Sequence, residues 1–246
     1  MALPKIDVPT YELTLPSTDK VVQFRPFTVK EEKLLLIAAE NNKVDAELVS
    51  AVKQVVENCT FGQIKADDLP IFDLEYIFLQ IRARSVGEVA KFRVLCPDDL
   101  KTYGDVEIDL TKVDVQVDDD HDNKIVIDES RNLGVVLTYP TLKSYKNTQL
   151  LEEGKLEAIF DILIDCIDHI FEGEKVFNPK DSTREEITSF FESLDQKSFE
   201  KVKSFFDKMP KLKHETEVVN PKTSVRSKVK FTGLRDFFEL SSPTIP

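Results

Sequence analysis

Residues 11–15 and 21–24 alternate apolar and polar positions on either side of Pro16-Ser17-Thr18-Asp19, which is the period-two signature of a β-hairpin. The spacing changes at Thr28. Thr28 and Glu31, three positions apart, form a capping-box pattern. Leu34 to Ala39 are then apolar around most of a helical circumference, which predicts a deeply buried helix. Leu48, Val49, Val52, Val55 and Val56 predict a second helix with one apolar stripe, and Leu74, Ile77, Phe78 and Ile81 a third that ends near residues 85–87. From 89 to 139 the pattern favours strands. The runs 92–95, 106–110, 113–117, 124–127 and 135–139 are separated by polar turns and predict a small antiparallel β layer.

Helical spacing returns after Pro140. Leu156, Ile159, Phe160, Leu163, Ile164, Ile167, Ile170 and Phe171 follow i, i+3, i+4, i+7 and predict one long amphipathic helix, ended by Gly173. Ser182 or Thr183 caps the next, whose stripe is Ile187, Phe190, Phe191 and Leu194. Phe199, Val202, Phe205, Phe206 and Met209 mark another, stopped by Pro210. A hairpin follows, with residues 233–238 as a short closing helix. The expected fold class is α+β: two mainly helical portions flanking an antiparallel β insert, with a C-terminal β-hairpin. The composition shifts divide the chain into residues 1–87, 88–140 and 141–246. A weak internal echo links Cys96-Pro97 and Asn220-Pro221, each lying after a strand and before a polar turn and a second strand.

The 246 residues suffice for one large domain or two small ones, and 41% apolar content predicts folding rather than disorder. Only 7 Gly are present, which disfavours Gly-rich phosphate loops. Cys59, Cys96 and Cys166 lie far apart with no C-x-x-C pair, so a reducing compartment is expected and a disulfide framework is not. The first ten residues lack the apolar core of a secretion signal, and no apolar run approaches the roughly 18 residues that span a bilayer. A net charge of −12 argues against bulk binding of nucleic acid. That charge is segregated. Residues 98–129 hold 12 acidic side chains against Lys101, Lys112 and Lys124, a net of −9; residues 201–235 hold 10 basic side chains against Asp207, Glu215 and Glu217, a net of +7. Such segments attract each other or orient protein partners.

Candidate chemistry is sparse. Asp118, Asp120, Asp122 and Glu129 stand at calcium-loop offsets one, three, five and twelve, but strand-like flanks favour an acidic hairpin tip in solvent. Cys96-Pro97-Asp98-Asp99 resembles half of a zinc knuckle, yet the second ligand position holds Asp99 and the echoing turn has no Cys. His121, His169 and His214 do not cluster; His169, near the end of the predicted long helix, would suit its dipole. Asp165 and Asp168 share a helix face in that reading, without further support for acid–base catalysis. No nucleophile elbow, P-loop, zincin or dinucleotide fingerprint occurs. The pairs Phe190-Phe191, Phe205-Phe206 and Phe237-Phe238 can each put one ring in the core and one near its edge, since adjacent helical residues point about 100° apart; they read either as two core-facing residues on a wide stripe or as an exposed aromatic rim that docks a partner.

Residues 24–33 (Phe24-Arg25-Pro26-Phe27-Thr28-Val29-Lys30-Glu31-Glu32-Lys33), 75–82, 85–88 (Ser85-Val86-Gly87-Glu88), Cys96-Pro97 with 106–110, and 233–238 together resemble the baseplate hub subunits and hub-assembly proteins of T-even-like contractile-tailed bacteriophages. The resemblance spans nearly the whole chain and rests on packing and turn residues. It implies a non-enzymatic assembly factor, or chaperone, for the central hub of the tail baseplate. Other baseplate hub proteins are the implied partners, with no cofactor, no nucleic acid and no membrane. The place is the host cytoplasm during assembly, or the virion tail baseplate. A structural hub subunit retained in the virion is the alternative, and a hydrolase with a cryptic carboxylate site a third reading. Phe24, Arg25, Phe27, Arg235, Phe237 and Phe238 are the expected partner contacts.

Overall fold

The computed structural model describes residues 7–40, 44–144, 156–233 and 236. In chain order its elements are β1 (Tyr11–Thr14), β2 (Val21–Phe24), α1 (Val29–Glu40), α2 (Val44–Cys59), α3 (Ile71–Val86), β3 (Val89–Leu95), β4 (Tyr103–Asp109), β5 (Asp114–Gln116), β6 (Lys124–Asp128), β7 (Leu133–Leu137), α4 (Leu156–Asp165), β8 (Ile167–Glu172), β9 (Lys175–Phe177), α5 (Arg184–Glu192), α6 (Gln196–Lys208), β10 (Lys211–Val219) and β11 (Arg226–Thr232). The fold is α+β, as expected. The chain forms two compact units, Met1–Gln116 with Lys211–Pro246, and Val117–Pro210. Their limits fall at 116/117 and 210/211, whereas the composition shifts lie at 87/88 and 140/141.

In the first unit, β1 and β2 pair antiparallel with Tyr11 opposite Phe24. Leu13, Leu15, Val22 and Phe24 turn inward from alternate positions, as period two requires. The chain then enters α1 through Thr28. Glu31, in the first turn of α1, reaches back to accept the Thr28 N–H at 2.9 Å and its hydroxyl at 2.6 Å, while its other oxygen takes Arg25 Nη2 at 2.9 Å. Glu31 is only 2% exposed. Burial alone would raise its pKa, but Arg25 and the Thr28 donors outweigh that and hold it at about 2. Among the described side chains of this run, the deep burial expected of α1 holds for Leu35 and Ala38, whereas Leu36 and Ile37 are each 47% exposed.

The rest of this unit is built on α3. Leu79 and Ala83 pack with Phe92 of β3, Val106 and Ile108 of β4, Leu212 and Val218 of β10, and Phe231 of β11. Burying each large side chain contributes about 1.5–3 kcal/mol. β3 pairs with β4, and β10 lies between β11 and β5, all antiparallel.

The second unit is an antiparallel β6-β7-β8-β9 sheet with α4, α5 and α6. Its core holds Val135, Leu137, Leu163, Phe191, Val202 and Phe205. Thr183 caps α5 with both halves of a capping box, and Asp195 caps α6 by accepting from the Ser198 N–H. All strands expected in 89–139 form, but they are shared among three sheets rather than gathered in one layer.

The largest departure concerns the long helix expected through Phe171. It stops at Asp165, and Ile167–Glu172 is strand β8. The Cys166 N–H is shared between the Ile162 and Leu163 carbonyls, and the Cys166 carbonyl accepts from Thr138 N. Beyond it, Ile170 and Phe171 pair with Val135 and Gly134 of β7. A β-branched apolar run satisfies either period, and the free edge of β7 decides between them. Gly134 makes the pairing possible. A Cβ there would lie 2.4 Å from both the Ile125 carbonyl oxygen and the Phe171 ring. Gly173, at φ +60°, then turns β8 into β9 instead of ending a helix.

Two outcomes follow from these contacts. Glu31→Gln is expected to lower stability by about 3 kcal/mol at neutral pH, the linkage value of a carboxyl depressed from 4.5 to about 2. The wild type should keep this contribution above pH 4.5 and lose it as pH falls toward about 2, so urea midpoints of the two proteins should converge across that window. Gly134→Ala should cost about 1–3 kcal/mol through overpacking against a backbone carbonyl and a ring, measured by thermal unfolding.

Candidate partner-docking surface

The expected contact residues separate once placed. Phe24 is 2% exposed, with its ring 5.6 Å from that of Tyr11. It is a core residue instead of a surface contact. Arg25 is committed to Glu31 and to the Pro26 carbonyl. Phe27 is half-buried, and its N–H donates to Ser85 Oγ at 2.9 Å. The first unit therefore offers Phe27, among these three, as an accessible aromatic edge. Arg235, Phe237 and Phe238 lie outside the described residues.

The calcium-offset carboxylates are held apart. Asp120 forms an ion pair with Lys208, which draws its pKa down. Asp122 accepts from the Lys124 N–H, while Glu129 stands beyond β6 in the turn to β7. Among the described residues no group of three or more His, Cys, Asp or Glu side chains could hold a metal ion. His169 lies on β8, not at a helix end, and its Nδ1 is 2.7 Å from Asp168 Oδ2. His121 stacks on Phe205 with ring centroids 5.0 Å apart, and its Nε2 lies 3.1 Å from the Tyr139 hydroxyl. Burial pushes its pKa down. Asp165 joins Asp161 on the Arg184 guanidinium. Burial pushes the Cys59 and Cys166 thiols up to about 12 and the Cys96 thiol up as well, so none is an activated nucleophile.

The opposed charged segments meet within each unit. β10 pairs with β5, with Lys213 opposite Asp114. Across β10 and β11, Lys230 reaches Glu215 at 2.8 Å, and Lys91 reaches Glu107 at 2.8 Å across β3 and β4. In the second unit Lys208 takes Asp120 and Lys201 donates to the Val126 carbonyl at 2.9 Å. These pairs are solvent-exposed and therefore weak.

A different surface emerges in the second unit. A groove of about 970 Å³ lies between the sheet and the α5–α6 corner. Ile127, Leu133, Ile170, Phe177, Phe190 and Leu194 give it an apolar lining, and Arg131, Glu172, Lys197 and Lys201 are among its charged residues. Phe190 stands at 83° to Phe191, ring centroids 5.3 Å apart, so one ring fills the core and the other faces the groove. Phe205 and Phe206 repeat the arrangement at 5.1 Å and 87°. The aromatic doublet was the signal in the sequence. Phe177, 46% exposed on β9, carried no such signal because its strand fell beyond the predicted helix.

A particle-building class is defined by comparison with known proteins. Residues 8–239 match the family described as T4 bacteriophage base plate protein, and the chain belongs to that family. It is similar to the baseplate hub assembly protein gp26 of Enterobacteria phage T4, at 21% identity over 233 residues that cover 94% of this chain and 98% of that protein. No solved structure matches. The resemblance read from the distributed motifs is thus borne out. Two of those motifs touch: the 24–33 segment is fastened to the end of α3 through Phe27 and Ser85.

The aromatic doublet gives a direct check. Phe191→Ala is expected to cost about 3–5 kcal/mol as a core truncation, and Phe190→Ala less than half as much, when both are compared by urea unfolding.

Proposed function

We propose that this protein is a non-enzymatic assembly factor for the central hub of a phage baseplate, a chaperone that binds other hub proteins in the host cytoplasm. The observation that supports this reading is the end-to-end similarity to a protein named for hub assembly. The structure is in keeping with it. Of the carboxylates and histidines that the sequence offers for chemistry, Asp120 and Asp165 are in ion pairs, Asp122 in a turn, His169 beside Asp168 and His121 in a ring stack. The groove of the second unit supplies what a transient docking site needs, apolar side chains interspersed with polar and charged ones. Phe190 and Phe177 are the proposed anchors there, and Phe27 a contact of the first unit.

Co-expression with the other hub proteins, followed by pull-down and native mass spectrometry, tests the reading. The wild type should co-purify with at least one hub protein, and a folded Phe190→Asp variant should lose most of that complex. Mass spectrometry of purified virions should find the chain absent. Retention at a fixed copy number per virion would sink the chaperone reading in favour of a structural subunit. Failure to bind any hub protein would sink both.

A further inference from the structure

The echo between Cys96-Pro97 and Asn220-Pro221 is a repeat of backbone geometry. The first turn follows β3 and the second follows β10, both in the first unit. In each, the fifth residue has a left-handed backbone, Leu100 at φ +52° and Ser224 at φ +62°. Its N–H donates to the carbonyl of the first residue, Leu100 to Cys96 at 3.0 Å and Ser224 to Asn220 at 2.8 Å. The fourth side chain accepts from the N–H two positions on. Asp99 Oδ1 takes Lys101 N at 3.0 Å, and Thr223 Oγ1 takes Val225 N at 3.3 Å. Side chains at the first and fourth positions of a tight turn are where a zinc knuckle carries its two thiolates. A left-handed fifth residue is the place usually given to glycine, and here it is kept without one.

The two turns also face each other. Asn220 Nδ2 donates to both oxygens of Asp98 at 3.0 and 3.1 Å, and the Thr223 hydroxyl donates to Asp98 at 2.6 Å. Asn220 Oδ1 accepts from Lys222 N at 2.8 Å and Thr223 N at 3.3 Å, so the amide is used at both ends. Asn220 is 1% exposed and Cys96 is fully buried. Gly104 lets the hairpins close. A Cβ there would lie 2.4 Å from Val218 Cγ2, 2.9 Å from the Val219 carbonyl and 3.3 Å from Cys96 Sγ.

We infer that these turns are a facing pair of metal-knuckle turns in which hydrogen bonds take the place of the metal ion, with Cys96, Asp99, Asn220 and Thr223 at the four ligand positions. Two such turns facing each other are how a zinc ribbon closes on its ion. Here the carboxylate of Asp98 is the acceptor that gathers the second turn. The clasp joins residues 122 apart in sequence, and a bond of that span closes the loop that contains the whole second unit. It does so with no dependence on metal supply.

The test restores thiolates at the other three positions of the full-length chain: D99C/N220C/T223C, with Cys96 retained. Titrated with Co²⁺, the variant should take up one ion per chain and show the visible absorption of tetrahedral thiolate ligation, and chelator should lower its melting temperature. The wild type should take up none, and its melting temperature should be unchanged by chelator. A triple variant with the wild-type far-UV spectrum but no tetrahedral Co²⁺ would overturn the inference. So would stoichiometric uptake by the wild type that Cys96→Ala abolishes. If the triple variant folds only with metal, the inference stands. If it does not fold at all, the milder N220C/T223C decides, with Asp99 as an oxygen ligand; failure of both to bind Co²⁺ overturns the assignment.

Discussion

The carboxylate of Glu31 is where three stretches of the first unit are fastened. It closes the first turn of α1 on Thr28 and draws in Arg25 from the end of β2. The Arg25 N–H is bonded in turn to the Cys59 carbonyl at the end of α2, and the Phe27 N–H to Ser85 at the end of α3. Hairpin and three helix ends thus share one short segment. A buried charge is tolerable here because each of its oxygens has a donor; an unsatisfied one would destabilise by more than the pair contributes. Of the residues that carry the family resemblance, the 24–33 segment and Ser85 hold this junction.

Local rules read correctly wherever the local signal was complete. The hairpin around Pro16, the cap at Thr183 and the stop at Pro210 depend on residues within a few positions of one another, and each forms. The largest failure has a non-local source. Ile167, Ile170 and Phe171 fit a helical face and a pleated face alike, and only the open edge of β7, more than thirty residues earlier, selects the strand. In the same way, nothing in 113–117 announces that β5 will pair with β10. Non-local pairing is the part of an α+β fold that periodicity does not encode.

The candidate surface shows the same limit. Phe24 and Phe190 are both aromatic and both lie within a family-like or doublet pattern. Phe24 is drawn inward because β2 has period two and its neighbours Val21 and Gln23 take the exposed face. Phe190 is left at the groove because its neighbour Phe191 takes the core. A doublet on a helix therefore carries more information about a surface than a single ring on a strand. The groove as a whole needed β8 and β9 to be strands, which is why the sequence pointed to one of its residues and not to the site.

The charge pattern changes meaning for the same reason. Read along the chain, −9 and +7 look like two lobes available to partners. In the folded units the two segments touch through β5 with β10 and through Lys208 with Asp120, while Lys230 with Glu215 and Lys112 with Asp109 pair inside one segment. Asp114 stands opposite Lys213 in the β5–β10 pairing, and opposite charges across a ladder favour the register they occupy. Other side chains of the acidic segment are paired across their own hairpin, Glu107 with Lys91 and Asp105 with Arg93, so the segregation along the chain overstates the field that the folded surface presents.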